Sequence, residues 1–254
     1  MSVAARFAST LLCVSLFAAP AAQAVSGWLN WRGPNYDGVS PARQALVTDL
    51  KLGGPNHRWS FKAHGAGTPV VADGRVYAVA YYGEDAFVEE AIVCLDVKTG
   101  KLIWEHRFMD FLSDTTYNRY AIGAPVVDAE TGNVYVESTC GVIMAFTRDG
   151  KLLWQHSMME EYGRLTFPNG RTGSLAIDGP LVITDGITAN WGADGPARNR
   201  FYAFDKRTGE LVWFSTPGIE PIDSSFATPV FGNIGEHRVF YAGTGCGNIV
   251  CVNA

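Results

Sequence analysis

What this chain lacks narrows it first. Its longest apolar run, Leu11 to Ala19, is broken by Cys13 and Ser15 and falls short of the roughly 20 residues a membrane-spanning helix needs. No Lys/Arg cluster or basic stripe occurs and the formal charge is −5, which argues against nucleic acid and anionic membranes as partners. The absence of Cys-x-x-Cys-His excludes covalent c-type haem, and no Cys/His spacing suits zinc. P-loop, Gly-x-Ser-x-Gly and dinucleotide-binding glycine patterns are also missing. Past the first residues there is no extended 3.6-residue hydrophobic period, so helices do not build the domain.

The apolar run has a different meaning. Arg6 precedes it and Ala22-Gln23-Ala24 follows it, the order of charge, apolar run and small-residue box found in secretory signals. Residues 1–24 are expected to be cleaved on export, leaving no transmembrane segment in the mature chain and a periplasmic or extracellular location. Export permits disulfides, but spacing alone cannot pair Cys94, Cys140, Cys246 and Cys251. Residues 25–56 read as an entry segment and residues 57–254 as the repeat domain.

Periodicity is what the chain has in abundance. Val97-Lys98-Thr99-Gly100-Lys101-Leu102-Ile103-Trp104 recurs as Thr147-Arg148-Asp149-Gly150-Lys151-Leu152-Leu153-Trp154 and as Lys206-Arg207-Thr208-Gly209-Glu210-Leu211-Val212-Trp213. Each is a glycine turn, one charged residue, two aliphatics and a tryptophan; Trp59 is an earlier tryptophan without the turn. Periods of this size mark propellers or solenoids. Each unit opens on a small residue and a short apolar strand, as in Thr68-Pro69-Val70-Val71 and Thr228-Pro229-Val230-Phe231. Turn residues then lead into β-branched runs such as Asn133-Val134-Tyr135-Val136. The unit is a four-strand meander.

Within it, Cys94, Ala145, Ala203 and Cys251 hold one position on the third strand, nine or ten residues before the tryptophan where one follows. A small residue at that offset leaves room for an indole, whose N–H needs an acceptor. Cys94 and Cys251 are therefore expected to be small, buried core residues. Cys140 and Cys246 coincide too, each before a glycine between second and third strands. Trp59, Trp104, Trp154 and Trp213 are the expected structural docking residues.

Asp-x-x-Thr-Gly-x-x-x-Trp, at Asp96–Trp104 and Asp205–Trp213, resembles the repeat of pyrroloquinoline-quinone (PQQ)-type β-propellers. The opening Trp31-Arg32-Gly33-Pro34-Asn35-Tyr36-Asp37-Gly38 is similar to the entry segment of exported proteins of that kind. The resemblance implies an all-β, PQQ-type β-propeller of four-stranded antiparallel blades, with about four blades encoded and the ring incomplete. Its known forms include quinoprotein dehydrogenases and a non-catalytic outer-membrane-assembly lipoprotein. The dehydrogenases typically carry adjacent cysteines over the quinone, and this chain has no Cys-Cys pair, so no catalytic residue can be transferred. The resemblance makes PQQ with calcium the cofactor to look for, although the residues themselves demonstrate none. Two closures stay open. Either the chain is part of a longer propeller, or His57–Phe61 pairs with residues 227–254 and closes a four-bladed ring, removing the exposed edges.

Strand parity puts every long connection on one face: 82–90, 108–122, 157–172, 186–199 and 215–226. Long loops on one face are where binding usually resides. Asn118 and Arg119 in one loop, and Asn190, Trp191, Asp194 and Arg198 in another, could stack on and hydrogen-bond a ligand. The acidic loop with Glu84, Asp85, Glu89 and Glu90 lacks an EF-hand pattern and reads as solvated charge; no metal residue is assigned. The expected function is a non-catalytic exported module that binds an envelope protein or a small-molecule ligand on this face. The alternatives are part of a PQQ-dependent alcohol or sugar dehydrogenase and a structural scaffold for envelope protein assembly.

Overall fold

The computed structural model describes residues 24–43, 47–84, 87–109, 119–164, 173–188 and 197–254. The strands form four antiparallel sheets that follow one another in chain order. Blade I contains β1 (Gly27–Trp28), β2 (Val70–Ala72), β3 (Arg75–Tyr82), β4 (Glu89–Asp96) and β5 (Leu102–Met109). Blade II contains β6 (Val126–Val127), β7 (Val134–Glu137), β8 (Val142–Phe146) and β9 (Leu152–Ser157). A single helical turn, α1 (Met158–Tyr162), follows. Blade III contains β10 (Ala176–Asp178), β11 (Leu181–Thr188), β12 (Arg198–Asp205) and β13 (Leu211–Ser215); blade IV has β14 (Val230–Ile234), β15 (His237–Gly243) and β16 (Ile249–Asn253). The architecture is a partial propeller ring.

The register explains the repeat. One row crosses each sheet: Val70, Tyr77, Cys94 and Trp104 in blade I; Val126, Tyr135, Ala145 and Trp154 in blade II. The same row is Ala176, Ile183, Ala203 and Trp213 in blade III, and Val230, Tyr241 and Cys251 in blade IV. In the first three blades the small residue stands directly opposite the tryptophan, and a register shift follows it. These rows form the front face of each blade and pack on the back face of the next. Tyr77, Cys94 and Trp104 cluster with Val134 and Phe146, Tyr135 and Trp154 with Val182 and Phe204, and Ile183 and Trp213 with Phe240.

Each indole also reaches one blade onward. Trp59 Nε1 donates to Val97 O at 3.0 Å, Trp104 Nε1 to Arg148 O at 2.9 Å and Trp154 Nε1 to Lys206 O at 3.2 Å. The rings lie on Gly100, Gly150 and Gly209, where a Cβ would come within 2.4, 2.7 and 2.8 Å of the indole. Those glycines also have φ of 67°, 86° and 77°. The recurring glycine thus answers two demands, a left-handed turn and a flat seat for the neighbour's ring.

One expectation needs correction. Cys251 is exposed, unlike the buried Cys94, because among the described residues no further sheet covers the front of blade IV. Of the two closures left open, the four-bladed ring is not formed: among the described residues β16 pairs with β15 alone. Trp59 instead lies on the back face of blade I with Phe61 and Ala63.

Candidate functional site

The two ends of the blades differ in how their polar groups are satisfied. At the tight-turn end the entry segment runs along the inner strands. β1 pairs with β2, Val25 N donates to Ala129 O at 2.8 Å, and Val127 N donates to Leu29 O at 2.8 Å. Ile177 N donates to Tyr36 Oη at 3.0 Å, and the Tyr36 ring meets Phe231 edge-on at 5.9 Å. One short segment therefore touches all four blades. The anchors are Trp28, whose ring covers Gly33, and Tyr36; Trp31 remains exposed. Around it, ion pairs join successive blades: Arg75 with Asp149 at 2.9 Å, Lys206 with Asp128 at 3.0 Å and Glu130 at 2.7 Å, and Arg238 with Asp178 at 2.6 Å.

At the long-loop end the polar groups are buried between blades. Glu90, at the start of β4, accepts from Ala121 N at 2.6 Å, from Thr139 N at 2.9 Å, and from the Thr139 hydroxyl. It is buried, which corrects its reading as solvated loop charge. Between blades II and III lies Arg164, delivered by α1. Ser157 caps that turn by accepting from Glu160 N at 3.2 Å, and Glu161 reaches back to Ser157 N at 2.8 Å. Gly163 ends the turn in the left-handed region, and Arg164 is directed inward. A Cβ on Gly141 or Gly186 would meet its side chain at 2.1 and 3.2 Å, so the guanidinium lies between two bare backbones. Its Nε faces Glu137 Oε1 at 3.7 Å.

Glu137 Oε2 accepts from the Thr184 hydroxyl at 2.5 Å. Burial pushes the Glu137 carboxyl above the usual range, against the pull of Arg164 and Thr184. Glu137 Oε1 accepts no hydrogen bond, and Arg200 Nε, buried on β12 opposite Gly186, donates none. Asp185 faces blade IV. Its Oδ2 accepts from Asn199 Nδ2 at 3.0 Å, and Asn199 Oδ1 in turn accepts from Gly245 N at 2.9 Å. Desolvation raises Asp185 to about 7, opposed by its bonds and by Arg164 and reinforced by Glu137. Its side chain nonetheless keeps an edge in contact with solvent.

Of the six ligand candidates read from the sequence, two are placed. Arg119 is half-buried ahead of Ala121, and Arg198 opens β12 with Nη1 donating to Ala197 O at 2.8 Å. They lie on different loops. Asn118, Asn190, Trp191 and Asp194 lie outside the described residues. Glu137, Arg164, Asp185 and Arg200 escaped the sequence reading. Only Arg164 had a local signal, the Ser157-to-Glu161 capping pattern with Gly163 after it.

This end buries Glu90 and Glu137 and half-buries Asp185; Glu137 holds Arg164, and Arg198 and Arg200 are further guanidinium groups there. No group of three or more His, Cys, Asp or Glu that could hold a metal ion occurs among the described residues. Glu137 Oε1 can accept and Arg200 Nε can donate, and a neutral group such as an amide offers the complement of each.

A sequence model of the family described as outer membrane protein assembly factor BamB matches residues 43–254. No curated protein matches the chain. Among solved structures it is similar to the quinohemoprotein alcohol dehydrogenase of Comamonas testosteroni, at 21% identity and a TM-score of 0.50, covering 75% of this chain and 33% of that one. It is also similar to one from Pseudomonas putida HK5, at 19% identity and a TM-score of 0.49, covering 78% and 33%. BamB from Moraxella catarrhalis matches at 21% identity and a TM-score of 0.38, covering 69% and 43%. The first of these shares the propeller fold. The chain spans about a third of the length of the two dehydrogenases.

Proposed function

Because the chain belongs to the family described as outer membrane protein assembly factor BamB, we propose that it is an exported, non-catalytic propeller module that binds a partner on its long-loop face. The partner is an envelope protein, or a small ligand, that presents a neutral hydrogen-bonding group such as a peptide amide. One observation carries this reading. Buried polar atoms are normally satisfied, yet Glu137 Oε1 and Arg200 Nε, both toward the long-loop end, lack hydrogen-bond partners. The tight-turn end is instead covered by residues 25–36 and stitched by ion pairs. That leaves the loops carrying Arg119 and Arg198 as the face open to a partner.

A photoreactive residue placed at Arg198 is expected to give discrete adducts with envelope proteins, and one at Asp149, on the tight-turn end, none. Adducts from Asp149 alone would overturn the choice of face. In a second arm the chain is mixed with PQQ and calcium and assayed for dye-linked oxidation of alcohols and sugars. No turnover is expected, and turnover would overturn the non-catalytic half of the proposal.

A further inference from the structure

At the long-loop end, blades III and IV are joined by a chain of hydrogen bonds that runs through Gly245, in the turn between β15 and β16. The Gly245 N–H donates to Asn199 Oδ1 at 2.9 Å. Its carbonyl accepts from Ile222 N at 2.9 Å and Asp223 N at 3.2 Å, both in the 215–226 connection. Only glycine fits here, since a Cβ would come within 1.9 Å of Asp223 O. Asn199 is 1% exposed, and one amide orientation serves both its neighbours. Oδ1 takes the Gly245 N–H, and Nδ2 donates to Asp185 Oδ2 at 3.0 Å. The connection that carries the exposed Ile219 and Ile222 is thereby tied, through one turn and one amide, to the carboxyl of Asp185.

The hydrogens around that carboxyl suit an acid better than an anion. The Ser225 hydroxyl lies beside it, but a hydroxyl has one proton to give, and this one goes to Gly243 O at 2.9 Å. Ala227 N donates to the same Ser225 oxygen at 3.2 Å. A protonated Asp185 completes the set, because its O–H supplies the hydrogen toward Ser225 while Oδ2 keeps the Asn199 bond. Desolvation accordingly raises Asp185 to about 7. Of the charged groups on neighbouring elements, Glu137 on β7 adds to that rise and Arg164, after α1, opposes it. Arg198 and Arg200 flank Asn199 on β12 but alternate to the other face of the strand. From the blade IV side, Asp223 and the Cys246 thiol adjoin the Gly245 turn.

We propose that Asp185 and Asn199 form a proton-dependent latch that fixes the 215–226 connection on blade IV, shut while Asp185 carries its proton and released when it loses it. Ionisation leaves Ser225 with one hydrogen for two acceptors and sets a second negative charge near Glu137, so opening to water is favoured. In water an aspartate titrates near 4. The open fraction therefore rises with pH between that value and the folded one, then levels off. Release changes how Ile219 and Ile222 are presented on the long-loop face; that consequence rests on reading this face as the binding face, whereas the latch itself does not.

Hydrogen exchange of the full chain from pH 5 to pH 8, with the intrinsic pH dependence divided out, reads the latch. The Ile222, Asp223 and Gly245 amides are expected to exchange faster than those of β7 and β8 throughout, and their protection to fall about tenfold across the range. Asp185→Asn, which keeps an acceptor for Asn199, should flatten that fall. Protection at the three amides that is level with pH, or that only matches β7 and β8, would overturn the proposal, as would an unchanged slope in Asp185→Asn. If that variant does not fold, the wild-type comparison decides alone. Exchange is read on the chain without a partner, so its failure is distinct from a failure of the long-loop face to bind.

Discussion

Blades II and IV carry the same pattern and end in opposite surroundings. Val126, Tyr135, Ile143 and Ala145 are buried by blade III, whereas Val230, Tyr241, Ile249 and Cys251 face outward. The strand's own alternation decides which neighbour a side chain faces. Burial comes only when that neighbour is present. A propeller blade is thus a half-finished core on each side, and its stability resides mostly in the interfaces, as in other repeat folds. The tryptophans expose the difference most sharply. Trp154 packs on Phe204 and hydrogen-bonds Lys206 O, while Trp213 stacks on Phe240 at 6.1 Å but has no acceptor for Nε1 among the described residues.

The largest expected effect tests that contrast. Trp154→Ala removes a ring held between blades II and III, uncovers Gly209 and takes from Lys206 O one of its two donors, the other being the Tyr135 hydroxyl. A loss of about 3–5 kcal/mol is expected. Trp213→Ala, lacking the onward hydrogen bond, should cost measurably less, by roughly 1 kcal/mol. Urea denaturation of both variants is the check. Equal losses would mean that the onward hydrogen bond contributes nothing.

A smaller effect sharpens the comparison at the long-loop end. Asp185 titrates near 7 in the folded chain, against about 4 for an unfolded aspartate. Between those values the folded state binds the extra proton, so stability declines as pH rises through that window and the contribution is gone above it. Asp185→Asn keeps an acceptor for Asn199 and removes the titration. With the carboxyl keeping an edge in solvent, the variant should gain on the order of 1–2 kcal/mol over the parent at pH 8 relative to pH 5. Thermal melts across that range decide it: parallel pH profiles would show that Asp185 does not titrate differently on folding.

Much of the fold was legible because propeller repeats write their contacts at fixed offsets. The position shared by Cys94, Ala145 and Ala203, read as room for an indole, stands opposite the tryptophan in all three blades, and the glycine turns locate the seats. Cys251 failed the same reasoning, since equivalence in sequence says nothing about whether the covering sheet is there. The buried long-loop cluster was illegible for another reason. Glu90 adjoins Glu89 and resembles solvated charge, while Glu137 and Asp185 sit at ordinary strand ends; only contacts across blades, with Thr139, Arg164 and Asn199, set them apart. Such contacts join residues tens of positions distant, with no period to announce them.

The smallest expected effect separates binding from folding on that same face. Arg198 donates Nη1 only to the carbonyl of Ala197, the residue before it, and no contact between blades depends on it among the described residues. Arg198→Ala should therefore shift stability by no more than about 0.5 kcal/mol. If the long-loop face is the binding face, the same substitution should weaken partner capture several-fold while the melting curve stays in place. Should stability fall as far as in Trp154→Ala, Arg198 would belong to the interlocking of the blades, and the division between a structural tight-turn end and an available long-loop end would fail at the residue chosen to represent it.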